Sequence, residues 1–175
     1  MQILDGFLDP NLLLSLRAAL KHPSFPWERT KVLSPSGAGA LAEEQNVQFV
    51  HGFYRRREGR VFQSRYLPLV LPVVNRLAPQ LLVKVKVNLT LPRADHLEYG
   101  LHVDTRWPGA RTAILYLNTN DGYTVFEDGT RVPSLENRLL VFDAALRHTG
   151  ASCTDVEARL VLNMNFVPRP GLSPG

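Results

Sequence analysis

From residue 80 onward apolar and polar residues of this chain recur with period two. Before that point two segments are spaced as helices and one short stretch alternates. Leu12, Leu13, Leu16, Ala19 and Leu20 recur on one helical face. Asp9 stands where an N-cap belongs and Pro10 at the first helical position. Pro23 and Pro26 end that helix, and residues 23–45, rich in Pro, Ser, Gly and Ala, read as a loop, mobile around Ser34-Pro35-Ser36-Gly37. Val47, Phe49 and His51 alternate with Gln48 and Val50, which predicts a strand over 46–54 running into a charged turn, Tyr54-Arg55-Arg56-Arg57-Glu58-Gly59-Arg60. Residues 64–77 place Leu67, Val70, Leu71, Val74 and Leu77 on one face, with Pro68 and Pro72 predicting a helix that starts late or kinks.

After residue 80 the period is two. Val83, Val85, Val87, Leu89 and Leu91 face one way, while Lys84, Lys86, Asn88 and Thr90 face the other. Further strands are predicted near 97–103, 111–118, 123–127, 138–143 and 159–167, divided by turn signals such as Asn120-Asp121-Gly122 and Asp128-Gly129. Two helical segments followed by seven or eight short strands argue for a mainly β fold, a sandwich or jelly roll with helices packed outside. Pro168 to Gly175 reads as a frayed tail.

Composition adds bounds rather than direction. A chain of 175 residues, 45% apolar and 21% charged, is an ordinary single globular domain. Its net charge of +4 permits an acidic ligand or nucleic acid without requiring one. The lone Cys153 excludes an intrachain disulfide and a Cys-rich zinc site. Residues 1–7 lack the basic start and apolar run of a signal peptide, and no stretch is apolar for the ~20 residues of a membrane span. A cytoplasmic, non-membrane setting is expected.

The chemistry centres on His102-Val103-Asp104. In an extended strand His102 and Asp104 share a face, with Val103 behind them. An imidazole and a carboxylate side by side suit a metal. One more ligand would complete a two-His-one-carboxylate set, which leaves positions open on iron(II). His148, at the end of Phe142-Asp143-Ala144-Ala145-Leu146-Arg147-His148, is the natural third. The strand at 159–167 then carries Arg159, Val161, Asn163 and Asn165 on one face, opposite Leu160, Leu162, Met164 and Phe166. A polar face inside a core strand costs several kcal/mol unless its charge finds a partner. An anionic ligand held by the fork of Arg159 would supply one.

The ordered set His102-Val103-Asp104, His148 forty-four positions after Asp104, and Arg159 eleven after His148 resembles the iron(II)/2-oxoglutarate-dependent oxygenases. The similarity is to prolyl-4-hydroxylase-like members, including small ones of phages and bacteria. Thr112-Ala113-Ile114-Leu115-Tyr116-Leu117-Asn118 with Asp121-Gly122-Tyr123-Thr124-Val125-Phe126 resembles their strand pair, as do Asn137-Arg138-Leu139-Leu140-Val141-Phe142-Asp143 and Arg159-Leu160-Val161-Leu162-Asn163. The resemblance covers residues 80–167. It implies a double-stranded β-helix with helices on one outer face, in a single oxygenase domain: a helix-rich part over 1–80, a catalytic core over 81–167 and a tail over 168–175. It further implies iron(II) held by His102, Asp104 and His148, with molecular oxygen and 2-oxoglutarate as cosubstrates. Arg159 would bind the far carboxylate of 2-oxoglutarate, helped by Tyr116 and by Asn88, with Lys86 a weaker match. The family's Gly-Gly-x-Thr is replaced here by Asp121-Gly122-Tyr123-Thr124, which leaves the conformation of that loop open.

The activity implied is hydroxylation of a C–H bond, with 2-oxoglutarate converted to succinate, on a protein or peptide side chain such as proline. A nucleobase or a free small molecule is the alternative substrate, motivated by the Arg55-Arg56-Arg57…Arg60 cluster. A non-catalytic jelly-roll binding module is the third reading. Trp107 and Arg106, directly after the metal strand, read either as a lid over substrate or as a loop covering the barrel end.

Overall fold

A computed structural model describes residues 1–32 and 46–171. The expected loop is therefore seen only as far as residue 32, and Ser34-Pro35-Ser36-Gly37 and tail residues 172–175 lie outside the described residues. In chain order the elements are β1 (Gln2–Leu4), α1 (Pro10–Lys21), β2 (Glu28–Thr30), β3 (Gln48–Arg57), β4 (Arg60–Gln63), a 3-10 turn (Leu67–Leu69) and α2 (Leu71–Leu77). Then follow β5 (Leu81–Thr90), β6 (Arg111–Tyr116), β7 (Tyr123–Phe126), β8 (Arg131–Pro133), β9 (Leu139–Asp143), β10 (His148–Gly150) and β11 (Arg159–Val167).

The strands form a large antiparallel sheet, β1-β9-β6-β11-β5-β3-β2 with β4 on β3, and a small one, β10-β7-β8. The two faces of the large sheet are buried differently. One packs Val85, Val87, Leu160, Leu162, Met164 and Phe166 against Leu13, Leu16 and Leu20 of α1 and Val73, Val74 and Leu77 of α2. The other packs Ile114, Tyr116, Leu140, Phe142 and Val161 against Phe126 and Val132 of the small sheet. Covered on both sides, β9 reads Leu-Leu-Val-Phe without alternation. This is the jelly roll, with its helices on one outer face.

The local signals explain the helices. Asp9 accepts hydrogen bonds from the amides of Asn11 and Leu12, and α1 ends before Pro23. The proline-interrupted segment resolves into the 3-10 turn and a late α2, with a proline in the first turn of each. Three expectations need correction. The stretch from Tyr54 to Arg57 is strand rather than turn, paired with residues 60–63. The turn is Glu58-Gly59 alone, both at positive φ (50° and 77°), as a two-residue hairpin requires. Charged residues tolerated on an exposed edge ribbon disguised the strand. Around residues 97–103 no continuous ladder forms; the chain touches β10 and its flank at two bridges, Glu98–Ala151 and His102–His148. Finally, the described part of 1–80 is not dominated by helix, since it also supplies β1 to β4. Among the described residues no helix is long and apolar enough to cross a membrane.

Candidate metal and anion site

The His102–His148 bridge makes the site. Each residue's amide donates to the other's carbonyl at 3.0 Å, a hydrogen-bonded antiparallel pair whose side chains leave the same face. The two imidazole centroids are 4.9 Å apart. Asp104, two residues past His102, turns its carboxylate between them, with His148 Nε2 3.5 Å from Oδ2 and His102 Nε2 4.0 Å from Oδ1. One ligand atom from each of the three residues lies within 4.8 Å of the other two.

Each donor is aimed from behind. His102 Nδ1 is 2.9 Å from the Gly100 carbonyl and His148 Nδ1 is 3.1 Å from the Leu146 carbonyl. Donation there leaves the Nε2 lone pairs facing the centre. Asp104 Oδ2 accepts from Asn163 Nδ2 at 2.8 Å and Thr112 Oγ1 at 3.3 Å, and Asn165 Nδ2 donates to Thr112 Oγ1 at 2.9 Å. Burial alone would raise the Asp104 carboxyl. The hydrogen bond from His148, whose proton a metal ion would replace, and the charges of Lys84 and Lys86 outweigh it and hold the group well below its ordinary value. Burial foremost lowers His102, which favours the neutral, ligating imidazole. Two neutral imidazoles and one carboxylate match the donor set that leaves iron(II) open positions.

The triad lines one end of a cavity of about 130 Å³, room for roughly four waters at about 30 Å³ each. At the other end is Arg159, 6% exposed, on β11. Its Nε donates to Ser134 Oγ at 3.0 Å and its Nη2 to Thr124 Oγ1 at 3.3 Å. Among the described residues no carboxylate meets it. Burial lowers its pKa, as expected for a cation stripped of water without a counter-charge. Gly150 faces the guanidinium from β10, two residues beyond His148, a strand distance of roughly 7 Å. The orphaned buried oxygens of Asn88, Thr90 and Asn163, on strands that line this cavity, also lack partners.

Of the residues singled out in the sequence, His102, Asp104, His148, Arg159, Asn88 and Lys86 all line this cavity. Lys86 is lowered by burial and then by Lys84. Tyr116 does not line it. Its hydroxyl donates to Thr124 Oγ1 at 2.8 Å and its ring lies 5.6 Å from the Arg159 guanidinium carbon, so it braces the residues that would touch a ligand. Ser134 and Gly150 carry no signal in the sequence, and Thr112, Gly122 and Thr124 enter there only within a turn signal or the family-like segments, without a role at the site. Asn163 was visible only as part of a polar face.

Gly122 lies in the loop that departs from the family pattern. A Cβ there would stand 2.8 Å from Arg159 Cδ, 2.8 Å from Asn120 Oδ1 and 3.0 Å from the Ala151 carbonyl. Gly122→Ala is expected to displace Arg159 and cost about 1–3 kcal/mol by overpacking. Denaturant unfolding reads the loss. An unchanged midpoint would show that the loop shifts freely.

No protein-family model matches this chain, and no curated protein matches it. Solved structures are similar. One is an oxidoreductase of the 2OG-Fe(II) oxygenase family from Burkholderia pseudomallei, at 15% identity and TM-score 0.65, covering 94% of this chain and 84% of that one. A prolyl hydroxylase from Trichoplax adhaerens, in complex with a hypoxia inducible factor peptide fragment, aligns at 14% identity and TM-score 0.61, covering 94% and 82%. The non-heme alpha ketoglutarate dependent carbocyclase SnoK of nogalamycin biosynthesis aligns at 14% identity and TM-score 0.63, covering 99% and 83%. These likenesses establish the fold, the jelly roll of the 2-oxoglutarate oxygenases, over most of the chain.

Proposed function

We propose that this chain is a single-domain iron(II)- and 2-oxoglutarate-dependent dioxygenase that hydroxylates a C–H bond on a protein or peptide side chain, such as proline. The observation that carries the reading is the buried, acid-free Arg159 in the same cavity as the His102–Asp104–His148 triad. A metal explains the triad alone. A dicarboxylate that reaches from the metal to a guanidinium explains both ends.

In this reading His102, Asp104 and His148 hold iron(II). The Gly100 and Leu146 carbonyls and the amide of Asn163 fix their orientation. Three such ligands leave residual positive charge on the metal, which suits an anionic cosubstrate. Arg159 offers its free edge to the far carboxylate, with Thr124 positioning the guanidinium and Tyr116 bracing Thr124. Asn88 presents an amide to the middle of the cavity. Ile114 and Val161 keep the wall apolar, and exclusion of water strengthens every charged contact inside. When bound, iron(II), 2-oxoglutarate and oxygen supply the oxidising power, 2-oxoglutarate leaving as succinate and carbon dioxide while one oxygen atom enters the substrate. The reducing cytoplasm is the proposed setting, in keeping with the single, buried Cys153.

Likeness to a prolyl hydroxylase seen with a peptide supports a peptide substrate. A small-molecule substrate is the second reading, favoured by the comparable likeness to SnoK. Anaerobic titration with manganese(II) and 2-oxoglutarate is expected to show both bind, and aerobic iron(II) to yield succinate slowly without substrate. Protein that binds neither would be a jelly-roll module of another kind.

A further inference from the structure

The sequence's arginine run ends up beside the metal site. Arg55, Arg56 and Arg57 close β3, and the register pairs Arg55 with Lys84 of β5. The chain leaving Asp104 adds Arg106 and Trp107, and together they wall a cleft of about 700 Å³ that reaches Asp104. Among the described residues, five cations and two acids line this cleft. Glu58 is tied to Arg57 (3.0 Å), and Asp104 is a proposed metal ligand with Lys84 3.7 Å away. Among the described residues Arg55 and Arg106, both exposed, meet no acid in an ion pair, and the Nε of Arg56 is buried without a hydrogen-bond partner. Two residues along β5 from Lys84, on the same face, Lys86 carries the positive lining into the metal cavity. A cationic path thus runs from solvent to the triad.

We infer that the substrate is an acidic polypeptide segment, whose Asp and Glu side chains lie along this cleft on either side of the residue presented to the metal. Guanidinium forks match carboxylates. A nucleic-acid strand fits less well. Tracking single strands takes a succession of aromatic faces, and Trp107 is the one aromatic residue lining the cleft among those described. Trp107, about one-third exposed, instead offers a single flat apolar surface to one substrate side chain. Calling the ligand a substrate rests on the oxygenase reading; its binding to the cleft does not.

The test is fluorescence anisotropy with a labelled (Glu-Pro-Ala)4 peptide, its (Lys-Pro-Ala)4 counterpart and a labelled oligothymidylate. The acidic peptide is expected to bind best, to weaken at least tenfold when salt rises from low to several hundred millimolar, and to weaken at least tenfold in the Arg55→Glu/Arg106→Glu protein. Both sites are exposed, and circular dichroism verifies the fold. A Lys21→Glu/Arg29→Glu protein, with the same change in net charge at exposed positions near the Leu89 end of β5 rather than its Lys84 end, is expected to keep its affinity. An equal loss in that control, equal binding of both peptides, or tighter binding of the oligothymidylate overturns the inference. Protein that binds manganese(II) and 2-oxoglutarate but no acidic peptide overturns it while leaving the oxygenase reading intact. Peptide binding without metal or 2-oxoglutarate binding keeps the cleft but overturns its role in catalysis.

Discussion

Replacing Arg159 with methionine is expected to weaken 2-oxoglutarate binding by about thirty-fold to several-thousand-fold and to raise the melting temperature of the ligand-free protein. The first effect follows from removing one partner of a buried charge pair, which costs about 2–5 kcal/mol at about 1.4 kcal/mol per tenfold in affinity. The second follows from what Arg159 does without ligand. It sits 6% exposed with only hydroxyl acceptors, Ser134 and Thr124, to offset its desolvation. Methionine fills similar volume without a charge to strip of water, and exchanges of this kind in buried ionic sites can be neutral or stabilising. Thr124 keeps its hydrogen bond from Tyr116, whereas Ser134 loses its donor. We therefore expect a net gain on the order of 1 kcal/mol. In a chain of this size that corresponds to roughly 2–4 °C. Arg159→Lys keeps the charge and loses the fork, and should fall between wild type and methionine in affinity. Thermal scans and calorimetric titration decide the matter. A methionine variant that loses several kcal/mol of stability yet binds 2-oxoglutarate normally would make Arg159 a structural residue.

This opposition between stability and binding is also what made the site legible. A polar residue on the core face of a period-two strand is conspicuous, and Arg159, Asn163 and Asn165 are such residues on β11. His102 and Asp104 stood out for the same reason, as side chains two apart in an extended segment. The fold class followed from the switch of period near residue 80, because periodicity records which faces are buried. What stayed hidden depends on chain reversals and long-range contacts. Thr124 and Ser134 look like ordinary turn and strand residues until β7 and the end of β8 carry them to Arg159, thirty-five and twenty-five residues away. Gly122 and Gly150 give no periodic signal at all, since their contribution is the absence of a Cβ next to that guanidinium. The ribbon of β3 and β4 was masked by its charge. Arg55, Arg57 and Arg60 are exposed, so past Tyr54 no alternation of core-facing apolar residues betrays the strand. Tyr116 shows the reverse case, an aromatic expected to help hold the far carboxylate that stands behind Arg159 instead, its hydroxyl donating to Thr124.

His148→Ala tests the other end of the cavity, and the quantity to read is the shift that metal induces. Manganese(II) at a hundred times its dissociation constant stabilises a folded protein by about 2.7 kcal/mol. At roughly 2–4 °C per kcal/mol, the wild type is expected to gain about 5–10 °C. The shift is expected to vanish in His148→Ala, because two ligands of the facial set remain. The baseline will fall as well. The imidazole is 3% exposed and packs edge-on against Phe142 at 4.7 Å, so its loss opens a hole whatever the metal does. Absolute melting temperature therefore cannot separate ligand from packing residue, and the metal-dependent difference can. Asn163→Leu provides the second measurement. It removes the 2.8 Å hydrogen bond to Asp104 Oδ2 while keeping the side chain's bulk and all three ligands. Loss of such an outer partner typically costs ten- to a hundredfold in metal affinity. A graded result, with wild type above Asn163→Leu and Asn163→Leu above His148→Ala, is what a metal centre oriented from behind requires. An undiminished shift in His148→Ala would place the metal elsewhere and would remove the triad's claim to it.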